Sequence, residues 1–465
     1  MDNFDLVVIG AGPGGYPAAI RAAQLGAKVA VVEKEQIGGT CLNWGCIPTK
    51  TLIAASGLYA EVAHAAKFGI KPGKTAIDFP ALMQHKKNVV SQLQSGVKQL
   101  LKANGVTVLQ GAASFQGRNV IKVLSPDRTA EIGAAKTIIA TGSTSIIPGF
   151  LPKSDKVLDS RGFLDLQTLP ATLTVLGGGY IGCELACMAA QLGTKVTIVE
   201  LLEDILLLVD TDIRREVRRN MEESLGITIL TGKPLTDIKI AGKNVHGKAG
   251  DKIVDGEVLL ASVGRRPVTD GLALENAGIK TDPKGFITVD EHGRTSVATV
   301  YAVGDVTGRI QLAHAATAQG IVAAENACTR GLGKFESLVP AVIFTSPEAA
   351  YVGVSEQDAK QKGMSVAVGK FPFRSLGRAL AAGQTEGFAK WIADASSGRL
   401  LGAAVVGAHA TDLIAEAALA IRNELTVDDV GGTIHAHPTF SELWMEAAHA
   451  VHGTAIHAAP VRKKG

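Results

Sequence analysis

The stretch at 5–33, DLVVIGAGPGGYPAAIRAAQLGAKVAVVE, recurs without gaps at 172–200 as TLTVLGGGYIGCELACMAAQLGTKVTIVE, with 15 of 29 positions identical. Each copy reads as a short apolar strand, a glycine turn, an Ala-rich helix ending at Gly26 or Gly193, and a second strand, KVAVVE or KVTIVE. That order predicts a βαβ unit with parallel strands, present twice. Gly10, Gly12, Gly14 and Gly15 lie between strand and helix in the first copy, and Gly177, Gly179 and Gly182 in the second. Glycines there let the backbone turn tightly and approach a pyrophosphate, whose charge the helix N-terminus stabilises. Glu33 and Glu200, each ending a strand, supply the carboxylate that accepts hydrogen bonds from an adenosine ribose. A close-packed helix and strand would also call for glycines, but that reading must then hold twice. Two dinucleotide sites are implied. Glu200 repels a 2′-phosphate and the following ELLEDI offers no Arg or Lys, so the second site is expected to prefer NAD over NADP.

The composition around these units narrows the class. The 465 residues allow three or four domains. A net charge of +3 without a long basic block, and 5% aromatics, give no nucleic-acid footprint. No run approaches the ~18 apolar residues of a membrane span, and no targeting segment is visible, which fits a bacterial cytoplasm. An Ala/Lys/Gln-rich helical stretch is expected at about 48–104 and an apolar strand in TIIATG at 137–142. Pro148 and Pro152 mark one boundary and GRRPVTD, 264–270, another. A helix should follow YAVGDV, and VPAVIFTSPEAAYVG at 339–353 opens a final α+β region ending in an exposed basic tail, VRKKG.

Of five cysteines, Cys41 and Cys46 stand together in GGTCLNWGCIPTK. Residues five apart in a regular helix point ~140° apart and cannot bond. Gly45 and Pro48 suggest instead a loop for Cys41 and a helix start for Cys46, where a disulfide can close and the dipole favours a thiolate. Two inert buried thiols, or a metal site with two further ligands, are the alternatives on spacing alone. Near the C-terminus, HAHPTFSE holds His435, His437 and Glu442. A histidine before proline is biased to extended backbone, so an imidazole at a strand end would meet a carboxylate from the next helix start, fixing its tautomer. His435, His437, His449 and His452 are the alternative, as a metal set.

In chain order, the first fingerprint, GGTCLNWGCIPTK, TIIATG, the second fingerprint, TSVATVYAVGD and HAHPTFSE resemble the class I flavoprotein disulfide reductases over nearly the whole chain. The pattern is most similar to the members that oxidise dihydrolipoamide. The resemblance implies an α/β fold with two Rossmann-like domains and a C-terminal α+β dimerisation domain: 1–145 for FAD and the redox disulfide, 146–272 for NAD, 273–342 completing the FAD domain, 343–465 for the interface. It assigns FAD, one per subunit, to Gly10, Gly12, Gly14, Glu33, Thr40, Lys50, Ala113, Thr141, Gly142, Asp305 and Ala313, with Lys50 paired to Glu184. NAD⁺ or NADH falls to Gly179, Gly182, Glu200 and Gly264. Cys41 and Cys46 become a redox-active disulfide, and His437 with Glu442 the acid–base pair. The implied partners are a second copy, whose disulfide His437 serves, and a lipoyl-bearing acyltransferase or lipoyl carrier protein; no metal, nucleic acid or membrane is expected. Glutathione reductase is the enzyme rival, with NADP. A mercuric reductase would carry a C-terminal cysteine pair, absent here, and a non-catalytic flavoprotein would not keep Cys41, Cys46, His437 and Glu442.

Overall fold

The computed structural model describes residues 1–329 and 331–459; the VRKKG tail lies outside them. Strand Asp2–Ile9 sits inside a seven-stranded sheet, parallel to Val29–Glu33 on one side and to Thr129–Ile139 on the other. Leu6, Val7, Val8 and Ile9 are all buried, as a strand covered on both faces requires. Thr107–Gln110 and Val300–Ala302 extend the parallel part, and Val120–Leu124 and Ala112–Gly117 continue it antiparallel. The strand expected at 137–142 is the end of Thr129–Ile139. The second repeat builds a separate parallel sheet in the order Thr228–Leu230, Lys195–Val199, Thr172–Leu176, Val258–Ala261, Val157–Leu158. Ser143–Ser145 pairs with Arg265–Pro267, so the chain leaves for the second sheet and returns from it side by side.

The helical stretch expected at 48–104 is two helices, Cys46–Ala63 and Phe79–Ala103, with a 3₁₀ turn at Ala65–Phe68. Gly69, Pro72 and Gly73 interrupt it, and Asp78 restarts it by accepting a bond from Ala81 N–H at 3.0 Å. Phe79–Ala103 brings its buried Lys86 against the carbonyl of Leu164.

The C-terminal region is an antiparallel sheet ordered Ala341–Ile343, Ala349–Gly353, Leu400–Val406, Phe388–Asp394, Val366–Pro372. Helix Glu442–Val451 crosses it so closely that a Cβ on Gly369 would lie 2.1 Å from the Ala447 carbonyl oxygen. Trp391 and Trp444 meet there with ring centroids 4.7 Å apart; Trp391 donates to the Trp444 carbonyl and Trp444 to that of Leu413, both at 3.0 Å. Buried tryptophans with satisfied N–H groups fix this helix, and with it Glu442; truncating either to alanine would cost about 3–5 kcal/mol. No helix among the described residues is long and apolar enough to cross a membrane.

Candidate active site

The two glycine turns share their geometry as well as their sequence. Gly10 and Gly177 have φ of +97° and +107°, and a Cβ on either would strike the carbonyl oxygen of Ala140 or Ser262 at 2.5 and 2.3 Å. A Cβ on Gly15 or Gly182 would stand 1.9 or 2.2 Å from the oxygen of Gly10 or Gly177, so helix and turn touch there. Beside Gly12 and Gly179 the space is open, the nearest atom to a Cβ being 3.8 Å away at Gly12 and none lying within 4 Å at Gly179. Glu33 accepts from Ala11 N–H and Glu35 N–H, both at 2.8 Å, and Glu200 from Gly178 N–H at 2.6 Å and Leu202 N–H at 2.8 Å. Each carboxylate oxygen thus keeps a lone pair for a ribose hydroxyl. A dinucleotide fits both turns: room beside the middle glycine, a helix N-terminus behind it, and a carboxylate held against the turn by Ala11 or Gly178 N–H. Gly14 plays a different part from the one expected of a third fingerprint glycine. It packs against Val303 and Ala316, and the counterpart of Gly182 is Gly15, as the ungapped repeat already aligned them.

Other expected cofactor residues gather round the first turn. Gly39 leaves no room for a side chain because Gly12 Cα would lie 2.7 Å from it, which holds Thr40 and the cysteine segment against the turn. Ala113 is buried in Ala112–Gly117, entered by Gly111, whose N–H donates to Glu33 O at 2.8 Å. Thr141 Oγ1 donates to Val268 O at 2.7 Å and Gly142 O accepts from Val268 N–H at 3.0 Å. Asp305 accepts from Ser143 Oγ at 2.5 Å, with Arg265 Nε at 3.9 Å, just before Ala313 opens the helix Ala313–Cys328. Ser143 and Arg265 carried no local signal, since folding alone brings them to Asp305. Gly264 lies at the end of Val258–Ala261 beside the second turn and accepts from Ile146 N–H at 3.0 Å.

Cys41 is not in a loop: it sits in the short helix Gly39–Trp44, and Cys46 is the first residue of Cys46–Ala63. The chain breaks at Gly45, with φ −134° and ψ −112°, where a Cβ would lie 2.8 Å from Thr40 O. That break, unavailable to a continuous helix, brings both thiols into hydrogen-bond contact, each as a free thiol. The bond from Cys41 is the largest influence on Cys46 and lowers its thiol to about 7. Burial opposes this, Lys50 and Cys46's own N–H at the helix start favour the thiolate, and Glu184 disfavours it. Donating that bond and being buried push the Cys41 thiol up. The pair is therefore polarised, the thiolate being favoured on Cys46 and disfavoured on Cys41. Lys50 Nζ pairs with Glu184 Oε2 at 2.7 Å and lies 4.5 Å from the Phe344 ring centroid, while Glu184 Oε1 accepts from Phe344 N–H at 2.9 Å. Tyr16, missed from sequence, has its phenol raised by burial and then by the nearby Cys41.

His437 Nδ1 and Glu442 Oε1 are 2.9 Å apart, and Glu442 Oε2 accepts from Thr439 N–H at 2.8 Å. His437 lies in an irregular segment rather than at a strand end; Glu442 does open its helix. Against the cost of partial burial, the bond with His437 and the Thr439 N–H hold Glu442 below the usual carboxylate range. A carboxylate on Nδ1–H leaves Nε2 as the basic nitrogen. The imidazole is 76% exposed and has no hydrogen bond to either cysteine. The candidate histidine metal set does not converge, since His435 turns to Glu416, His437 to Glu442 and His452 to Asp428. Among the described residues Asp210, Asp212 and Glu356 have metal-ligand spacing, but the cation between them is the fully buried Lys390, at 2.9, 2.9 and 2.7 Å. Folding also supplies arginines that ELLEDI lacks: Arg214 and Arg218 reach Asp204 at 2.9 and 2.6 Å, and both are spent on it.

Residues 4–320 match the family described as pyridine nucleotide-disulphide oxidoreductase, and residues 339–448 match its dimerisation domain. The chain is 43% identical to a dihydrolipoyl dehydrogenase of Chlamydia muridarum over 99% of this chain and 100% of the relative, and 44% identical to one of Haloferax volcanii over 97% of each. Its fold superimposes on LpdA from Mycobacterium tuberculosis with a TM-score of 0.90 at 29% identity, covering 97% of this chain and 99% of the other. With the duplicated nucleotide turn, the polarised cysteine pair and the C-terminal antiparallel domain in one chain, the protein belongs to the pyridine nucleotide-disulphide oxidoreductase family.

Proposed function

We propose that this chain is a dihydrolipoyl dehydrogenase, oxidising protein-bound dihydrolipoamide to lipoamide and reducing NAD⁺. The observation that carries the reading is the cysteine pair, with Cys46 at a helix start that also carries Lys50, which favours its thiolate, and Cys41 beside it, where the thiol is pushed up. The full-length relatives named dihydrolipoyl dehydrogenase support the substrate. FAD is assigned to the first turn, where Glu33, Thr40, Ala113, Thr141, Gly142, Asp305 and Ala313 gather, and NAD⁺ to the second, with Gly179, Gly182, Glu200 and Gly264. The chain works as a cytoplasmic homodimer in which His437 of one subunit serves the cysteines of the other.

With the pair oxidised, Nε2 of His437 takes the proton of one substrate thiol, and the resulting thiolate attacks Cys41 Sγ. The disulfide opens and Cys46 leaves as a thiolate, stabilised by its helix start and by Lys50. The second substrate thiol then displaces Cys41, which takes up a proton; lipoamide is released and two electrons remain in the cysteine pair. Glu442 holds the imidazole's tautomer and stabilises the imidazolium formed on the way. When bound, FAD supplies the couple that accepts these electrons and returns them as hydride to NAD⁺. Glu184 fixes Lys50 next to Cys46 and keeps its charge there. The lipoyl group arrives on an acyltransferase or a lipoyl carrier protein.

Steady-state turnover of dihydrolipoamide and of reduced glutathione, each with NAD⁺ and NADP⁺, tests the reading. Dihydrolipoamide with NAD⁺ should dominate; preferential turnover of the glutathione couple with NADP would replace it with the glutathione reductase reading.

A further inference from the structure

The segment that carries His437 has no regular structure from 433 to 440, and Gly432, Thr433, Ile434, Ala436, His437 and Pro438 are all exposed. Phe440 is buried further on, and within 432–438 His435 is the exception. Its side chain is 5% exposed and points inward to the helix Ala410–Arg422, where Nε2 lies 2.7 Å from Glu416 Oε1, while Nδ1 lies 2.9 Å from Thr433 O. A carbonyl oxygen only accepts, so Nδ1 carries a hydrogen; a carboxylate does the same for Nε2. With Glu416 ionised, both ring nitrogens carry a hydrogen and the ring is an imidazolium.

We propose that His435, held by Glu416, is a positioning residue for the acid–base pair two residues away: it anchors the exposed segment and sets a positive charge against the His437 imidazolium. The inference rests on the assignment of His437 and Glu442 as that pair. Consistent with the geometry, the Glu416 bond raises the His435 imidazole above its usual value despite burial, with smaller contributions from Thr433 O and from the charge of Glu442. The charged groups around the pair are few. Glu442 meets His437 directly and His457 through space; His457 is itself tied to Glu446 at 2.7 Å; His409 and Arg378 flank the Phe440 ring at 5.0 and 5.8 Å. A positive charge on His435 opposes the His437 imidazolium formed in turnover and so offsets part of the stabilisation that Glu442 gives it. Glu416 works the other way by offsetting His435.

The electrostatic part predicts an upward shift for one of two neutral variants and none for the other. In the holoenzyme, His435→Gln removes the cation and leaves Glu416, so the acid limb of kcat/KM for dihydrolipoamide should move to higher pH, by about half to one pH unit. Glu416→Gln removes the anion and should leave that limb in place or move it to lower pH. Electron transfer from NADH to an artificial acceptor, which needs no base, should be unchanged in both. An acid limb that stays put in His435→Gln, or that moves up in both variants, overturns the proposal. Should His435→Gln not fold, imidazole nitrogen NMR of the wild type decides it: a His435 ring still doubly protonated at pH 7.5 upholds the proposal and a neutral ring overturns it. Loss of the underlying reading would look different, because His437→Gln would then leave dihydrolipoamide turnover intact.

Discussion

Removing the positive charge beside Cys46 should move its titration by an amount the structure sets. Lys50 lies one helical turn after Cys46 on Cys46–Ala63, and residues four apart on a helix are about 6 Å apart. A unit charge at that distance with an effective dielectric constant near 20 is worth roughly 3 kcal/mol, a ceiling of about two pH units on a thiol. Lys50 is 30% solvent-exposed and its charge is partly spent on Glu184 at 2.7 Å, so about one unit is the working figure. Lys50→Met should raise the Cys46 thiol from about 7 to roughly 8. Glu184→Gln should lower it, because Glu184 disfavours the thiolate. The assay is the pH dependence of alkylation of the reduced protein, with each cysteine resolved by mass spectrometry. In the wild type Cys46 should react half-maximally near neutral pH and Cys41 only at much higher pH. Shifts of the same sign in both variants would refute the argument, since one charge favours the thiolate and the other opposes it.

Glu200→Gln or Glu200→Lys should shift nucleotide preference from NAD⁺ toward NADP⁺, because the carboxylate that repels a 2′-phosphate is gone; an unchanged ratio of kcat/KM values would show that this turn is not the nicotinamide cofactor's. His437→Gln should keep NADH-to-acceptor activity while dihydrolipoamide oxidation falls about 10²–10⁴-fold, and heterodimers of His437→Gln with Cys41→Ser should regain activity above either parent. Heterodimers no better than the parents would put base and thiol in one subunit. Lys390→Met strands Asp210, Asp212 and Glu356 around an empty centre and should cost about 3–5 kcal/mol, read in a chemical unfolding curve. A loss under 1 kcal/mol would mean that the knot is not buried as described.

Local chemistry was legible from the chain alone. A glycine turn, a strand before it and an acid after it are set by backbone geometry within thirty residues, so the duplicated unit and both nucleotide turns could be read directly, and the ungapped repeat even aligned Gly15 with Gly182. The resemblance supplied Lys50 with Glu184 and His437 with Glu442, and each pair is in contact. What the sequence left open was decided by contacts between distant segments. Whether Cys41 and Cys46 can touch depended on the break at Gly45, which spacing suggested only as a loop. The partners of Asp305, the pairing of Arg214 and Arg218 with Asp204, and the filling of an acidic cluster by Lys390 all join residues whose separation along the chain carries no periodicity. His435 shows the same division at its smallest. Its sequence neighbours are exposed like those of His437, and only the placement of Glu416 on the helix Ala410–Arg422 turns one imidazole inward and leaves the other exposed against Glu442.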